Sequence, residues 1–120
     1  MQVISASKTI FLSTVDSTNE EAKRRIKQID KPTWIIADKQ IEGKGRHGKV
    51  WFDGEGNFTG SLVFFPLTNP PTFYLYGFFI GVALYNTIKS ISDKPLDLFL
   101  KWPNDIILEG KKLSGILIES

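Results

Sequence analysis

The apolar residues of this chain come in short runs, and that division most limits what it can fold into. Lys8–Val15 is β-prone and reads as a strand. Residues 34–37 (WIIA) follow the break at Pro32 as a short strand, and residues 61–65 form another, stopped by Pro66. Residues 98–102 read as a further strand, and 105–108 with 113–118 as a hairpin around the turn Glu109-Gly110-Lys111. Only two stretches have helical spacing. The first, EEAKRRIKQI, puts Ala22, Ile26 and Ile29 on one face, with Ser17 and Glu20 ahead of it at capping-box spacing. The second opens at Pro70-Pro71-Thr72 and carries Phe73, Tyr76, Ile80, Ala83, Leu84, Ile88 and Ile91. Gly77 and Gly81, four apart within it, suit close packing of this helix against a sheet. The chain ends just after its last apolar strand, which suggests that partner elements are missing.

Composition excludes several chemistries. At 120 residues and 13.6 kDa the chain is one domain or a piece of a larger one. Without cysteine it has no disulfide framework, thiolate zinc site or cysteine nucleophile, and one histidine leaves no His-rich metal site. Fifteen Lys and Arg against 13 Asp and Glu give a net charge of only +2, which makes no strong case for a nucleic-acid binder. The start lacks a basic region followed by a long apolar one, so no secretory signal is expected. The apolar stretch 73–85 has 13 residues, too few to cross roughly 30 Å of hydrocarbon as a helix. A cytoplasmic protein is the default expectation.

Residues 38–60 read as a long connection, and its first part gathers the charge. Gly43, Gly45 and Gly48 alternate with Lys44, Arg46, His47 and Lys49, and Trp51 closes the segment. Glycines at such spacing can take positive φ and turn successive N–H groups toward an anion. Basic groups with backbone donors suit a polyphosphate, and an indole can stack on a purine. The plainer alternative is a basic surface loop that touches nucleic acid without specificity. Neither a Walker A sequence nor a dinucleotide fingerprint is present.

Two later segments carry similar alternatives. Lys101-Trp102-Pro103-Asn104-Asp105 is either a plain turn or a rigid corner presenting an amide and a carboxylate to phosphates or their metal ion. In Lys112-Leu113-Ser114-Gly115, Gly115 marks either a bulge or a place where a ligand approaches the backbone. Lys112, on a rigid strand, could stabilise charge developing on an acyl phosphate.

Taken together these segments resemble the catalytic domain of the biotin protein ligases. The resemblance lies in Asp16-Ser17-Thr18-Asn19, in Gln40 with Gly43-Lys44-Gly45-Arg46-His47-Gly48 and Trp51, in Gly56-Asn57, in Lys101-Trp102-Pro103-Asn104-Asp105, and in Lys112-Leu113-Ser114-Gly115-Ile116-Leu117. They occur in the family's order across nearly the whole chain. The implied fold is α+β, a mixed and mainly antiparallel sheet with helices packed on one face, of the class II synthetase-like biotin/lipoate ligase type. Residues 1–120 would be the N-terminal portion of the catalytic domain. On that reading the rest of that domain and a C-terminal β-barrel would be absent from these residues, the fold incomplete and the isolated chain nearly inactive.

The resemblance implies an ATP-dependent ligase that forms biotinyl-5′-adenylate, using Mg²⁺, and transfers biotin to a lysine of a biotin carboxyl carrier domain. Ser17, Thr18, Asn19 and Gln40 would bind biotin, together with Gly43, Lys44, Gly45, Arg46, Lys112 and Gly115. Arg46 and Lys112 would be catalytic, near the carboxylate and the acyl phosphate. Arg46, Lys49, Trp51, Asn104 and Asp105 would bind ATP, with no dedicated protein metal site. A homodimer is allowed; no specific nucleic acid or membrane partner is implied. The family usually has arginine at Lys44, His47 and Lys49, and lysine loses bidentate recognition, so the adenylate would be held less tightly. Asp53-Gly54 stands where Ser-Pro is commoner. A lipoate-type acyl ligase and a noncatalytic anion- or nucleic-acid-binding module are the alternatives.

Overall fold

In the computed structural model, which describes residues 8–66 and 75–120, the strands form two three-stranded sheets. They belong to two compact units that divide between residues 67 and 68. The expected α+β class is what the chain adopts. Among the described strand pairs one is parallel and three are antiparallel.

The first unit is a β-α-β crossover with one antiparallel strand added. β1 (Lys8–Val15) runs parallel to β2 (Thr33–Gln40), which pairs antiparallel with β3 (Thr59–Val63). Thr33, Ile35 and Ala37 alternate on the buried face of β2, and Ile35 is completely enclosed. α1 (Thr18–Arg25) links β1 to β2 and packs on β2 and β3. Because β1 continues to pair through Val15 with Gln40, β2 runs three residues past the expected 34–37. β3 begins at Thr59 rather than 61.

α1 is shorter than its spacing predicts. It stops at Arg25 and tightens into a 3₁₀ turn over Ile26–Gln28, which leaves Ile26 exposed rather than on a buried face. Only half of the capping box forms. Ser17 Oγ accepts the Glu20 N–H at 3.4 Å, whereas the Ser17 N–H donates to Asp16 Oδ1 at 2.7 Å. Glu20 therefore turns its carboxylate outward, to Lys23 and Lys44.

The second unit contains α2 (Leu75–Ile91) and the antiparallel meander β4 (Leu98–Lys101), β5 (Asp105–Leu108) and β6 (Lys111–Gly115). Residues 70–73, expected to open the helix, lie outside the described residues. Glu109 and Gly110 both take positive φ, 51° and 77°, which makes a two-residue hairpin turn of the kind that matches strand twist. β6 accordingly begins two residues earlier than expected, and Leu113 bulges where the register shifts between Ile106 and Ile107. Residues 116–118 leave the sheet.

α2 buries its glycines instead of its isoleucines. A Cβ on Gly77 would lie 3.1 Å from Ile118, and one on Gly81 would lie 3.1 Å from Leu100. The predicted packing of the glycine face against a sheet is present at Gly81, which meets Leu100 of β4, whereas Gly77 meets Ile118 of the segment beyond β6. The predicted apolar stripe is not the buried face, since Ile80, Ala83 and Ile91 are exposed. Close helix approach needs the narrowest surface, and glycine provides it.

Candidate functional site

The start of α1, the end of β2 and the middle of β3 bring four polar side chains together. Thr18 is the first residue of α1, so its N–H is an unpaired helix-start donor. That N–H and the Thr18 hydroxyl both donate to Gln40 Oε1, at 2.8 and 3.1 Å. Ser61 Oγ lies 2.7 Å from Thr18 Oγ1 and also donates to Asn19 Oδ1. Thr18 and Ser61 are buried, and Asn19 and Gln40 are half-buried. The single Ser61 proton faces two acceptors, so the cluster is rich in oxygen lone pairs. It carries no charge, and it can recognise a neutral group that both donates and accepts hydrogen bonds.

Of the expected residues, Thr18, Asn19 and Gln40 meet here. Ser17 is next to them, but its hydroxyl is committed to the helix cap. Ser61 was not anticipated. Its signal is a hydroxyl at an inward position of β3, two residues from the equally buried Thr59. Asp53, where serine is commoner, also contributes: its carboxylate accepts the Gln40 N–H and the Thr59 hydroxyl.

The glycine-rich segment is a pinched hairpin rather than an open string of donors. Lys44 bridges to Val50, the Trp51 N–H donates to Gly43 O at 2.8 Å, and the Gly45 N–H donates to Lys49 O at 2.7 Å. Positive φ falls on His47 and Gly48 at the tip, not on Gly43 or Gly45. Gly43 is required for another reason. A Cβ there would meet Trp51 O at 2.9 Å and Gln40 Nε2 at 3.0 Å, so the hairpin's base lies directly against the polar cluster. Arg46, His47 and Lys49 are exposed around the tip, with Arg46 3.4 Å from the His47 ring, while Trp51 is half-buried at the base. Lys44 is held by Glu20 at 3.1 Å.

Charge around the start of α1 is tightly paired. Arg24 grips Asp16 through two nitrogens, and with the Ser17 N–H it holds the Asp16 carboxyl far below the usual carboxylate range. Arg25, then Arg24, lowers Glu21; Lys23, then Lys44, lowers Glu20.

The other expected residues belong to the second unit. The Asn104 side-chain amide donates to Ile116 O at 2.7 Å and the Asn104 backbone carbonyl accepts the Ile116 N–H at 3.1 Å, so Asn104 clamps the chain beyond β6. The Lys112 ammonium lies 3.0 Å from the Asp105 carboxylate across the hairpin. The oxygen it meets, Asp105 Oδ1, is buried, so the Lys112 ammonium is its charge partner. Gly115 is the last residue of β6, opposite Asp105, rather than a strand-interior glycine.

Residues 11–120 match the model of the biotin/lipoate A/B protein ligase family. The chain belongs to this family. Similar members include the biotin–[acetyl-CoA-carboxylase] ligase of Paracoccus denitrificans, 37% identical over 110 residues, covering 92% of this chain and 46% of the relative. The bifunctional ligase/repressor BirA of Escherichia coli is 33% identical over 110 residues, covering 90% of this chain and 33% of that protein. Among solved structures, the biotin protein ligase of Aquifex aeolicus in complex with biotin and ATP superposes with a TM-score of 0.79 at 32% identity, over 95% of this chain and 47% of that one. The chain spans less than half the length of each of these relatives. Among the described residues no helix is long and apolar enough to cross a membrane.

Proposed function

We propose that this protein is an ATP-dependent biotin–protein ligase acting in the cytoplasm. It forms biotinyl-5′-adenylate from biotin and ATP and passes the biotinyl group to a lysine of a biotin carboxyl carrier domain. The observation that carries this reading is the neutral cluster of Thr18, Asn19, Gln40 and Ser61 beneath the basic hairpin. A ureido ring offers two N–H donors and a carbonyl acceptor, the complement of such a cluster. A lipoyl dithiolane has neither, so lipoate ligation is the weaker reading.

In the first step a biotin carboxylate oxygen attacks the α-phosphorus of ATP and pyrophosphate leaves. Two anions must approach, and fixed cations offset their repulsion. Arg46 and Lys112 supply that charge, Lys49 faces the ATP phosphates, and Trp51 offers adenine a flat surface. In the first unit Gly43, Lys44 and Gly45 serve biotin, with Ser17 holding the helix start; in the second, Asn104 and Asp105 serve the nucleotide and Gly115 serves biotin. In the second step the carrier amine attacks the acyl carbon and AMP leaves. A protein-built metal cage is absent among the described residues, as no group of three metal-binding side chains occurs there. A Mg²⁺ ion held mainly by phosphates and water needs only one or two carboxylates, and Asp105 fits that limited part. Bound there, Mg²⁺ would neutralise phosphate charge.

Because the chain covers under half of its relatives, the activity is proposed for the whole protein, and residues 1–120 alone are expected to show little of it. The test is biotin-dependent pyrophosphate release by the full-length protein with ATP and Mg²⁺, followed by labelling of a carrier domain. Failure to bind biotin, or its ready displacement by lipoate, would overturn the reading.

A further inference from the structure

We propose that Asp53 is a positioning residue that sets the spacing of the biotin-recognition cluster by tying the end of β2 to the start of β3. The inference rests on the biotin reading above.

β2 outlasts its partner. The last paired residues are Ala37 and Thr59, so Asp38, Lys39 and Gln40 run beyond the start of β3 with only β1 alongside. The Ile41 N–H donates toward β1, to Val15 O at 2.9 Å. Backbone N–H groups alternate in direction along a strand, so the Gln40 N–H points the other way, to the side β3 does not reach. The Asp53 carboxylate fills that place. One oxygen accepts the Gln40 N–H, and the other accepts the Thr59 hydroxyl at 2.9 Å.

Both tethered residues lead directly into the cluster. Gln40 carries the Oε1 that takes both Thr18 donors. Thr59 lies two residues from Ser61 and is buried with it, on the same face of β3. One carboxylate thus fixes the distance between the two walls on which Gln40 and Ser61 stand. Recognition by short hydrogen bonds tolerates little misplacement, so the tether bears on biotin rather than on nucleotide.

The chemistry gives a discriminating pair of variants. Asp53→Asn keeps both contacts, since its carbonyl can accept the Gln40 N–H while its amide donates to the Thr59 hydroxyl, which can switch to acceptor. Asp53→Ala keeps neither. Calorimetry on the full-length protein should show biotin affinity weakened about tenfold or more in Asp53→Ala and restored to within a few-fold in Asp53→Asn, with ATP affinity unchanged in both. If Asp53→Ala does not fold, Thr59→Val, which removes one tether, is expected to weaken biotin several-fold on the same terms. Unchanged biotin affinity in the folded variant, or equal losses of biotin and ATP, would overturn the positioning role. A wild-type protein that binds no biotin would instead defeat the functional reading itself, and the proposal with it.

Discussion

Thr18 directs both its backbone N–H and its hydroxyl at the single carbonyl oxygen of Gln40, at 2.8 and 3.1 Å. This joins a helix start to a strand end 22 residues away and makes the Gln40 amide the pivot of the cluster.

Gln40→Leu leaves two buried donors of Thr18 without an acceptor. It is expected to destabilise the protein by about 1–3 kcal/mol and to abolish biotin binding. Gln40→Glu keeps the acceptor oxygen but loses the amide donor, so stability should be retained while biotin binding weakens. Urea unfolding beside calorimetry separates the two effects; a Gln40→Leu protein as stable as wild type would show that Thr18 is satisfied elsewhere.

Glu20 pairs with Lys44 of the glycine-rich hairpin at 3.1 Å, as well as with Lys23. Lys23 first, then Lys44, draws its carboxyl below its ordinary 4.5. A carboxyl lowered in the folded state contributes fully above its ordinary value, and the contribution disappears as pH falls through the folded value. Protection of the hairpin from proteolysis should therefore be constant from neutral pH down to the ordinary carboxyl value and decline below it. Glu20→Gln should expose residues 41–51 to cleavage at every pH, and salt should weaken the wild-type protection in the same direction.

Gly43→Ala forces a methyl to within 2.9 Å of Trp51 O and 3.0 Å of Gln40 Nε2. A cost of about 1–3 kcal/mol is expected from such overpacking, together with poorer biotin binding. Gly45→Ala meets nothing nearer than 3.5 Å at negative φ and should be nearly silent. Thermal unfolding of the two variants decides this, and equal effects would contradict the placement of the hairpin's base.

Lys112→Ala removes the cation beside Asp105. If Lys112 stabilises the charge of acyl-phosphate formation, single-turnover adenylation should slow about 10²-fold, with Lys112→Arg intermediate. Undiminished adenylation would place Lys112 outside the reaction and leave its pairing with Asp105 as a purely structural contact.

Local chemistry made much of the fold legible. β1 follows from β-branched residues between Lys8 and Val15, and the Glu109-Gly110 turn from the tolerance of glycine for positive φ. Where expectation and structure part, a distant partner decides. β2 reaches Gln40 because β1 is still there to pair with it, and no pattern within residues 38–40 announces that. In α2 the apolar periodicity pointed to Ile80 and Ile91, but the neighbouring chain approaches the glycine face.

The sequence by itself determined the family resemblance, the polar quartet's Thr18, Asn19 and Gln40, and the concentration of cations in one glycine-rich segment. These are properties of residue type and order. Tertiary structure alone decided that Ser61 completes the cluster, that Asp53 spans two strands, that Glu20 holds Lys44 instead of closing a capping box, and that the hairpin uses its own N–H groups. Each of these depends on distances between residues far apart in the chain. Hydrogen bonds and ion pairs act over a few ångströms, and only the folded backbone brings such groups that close.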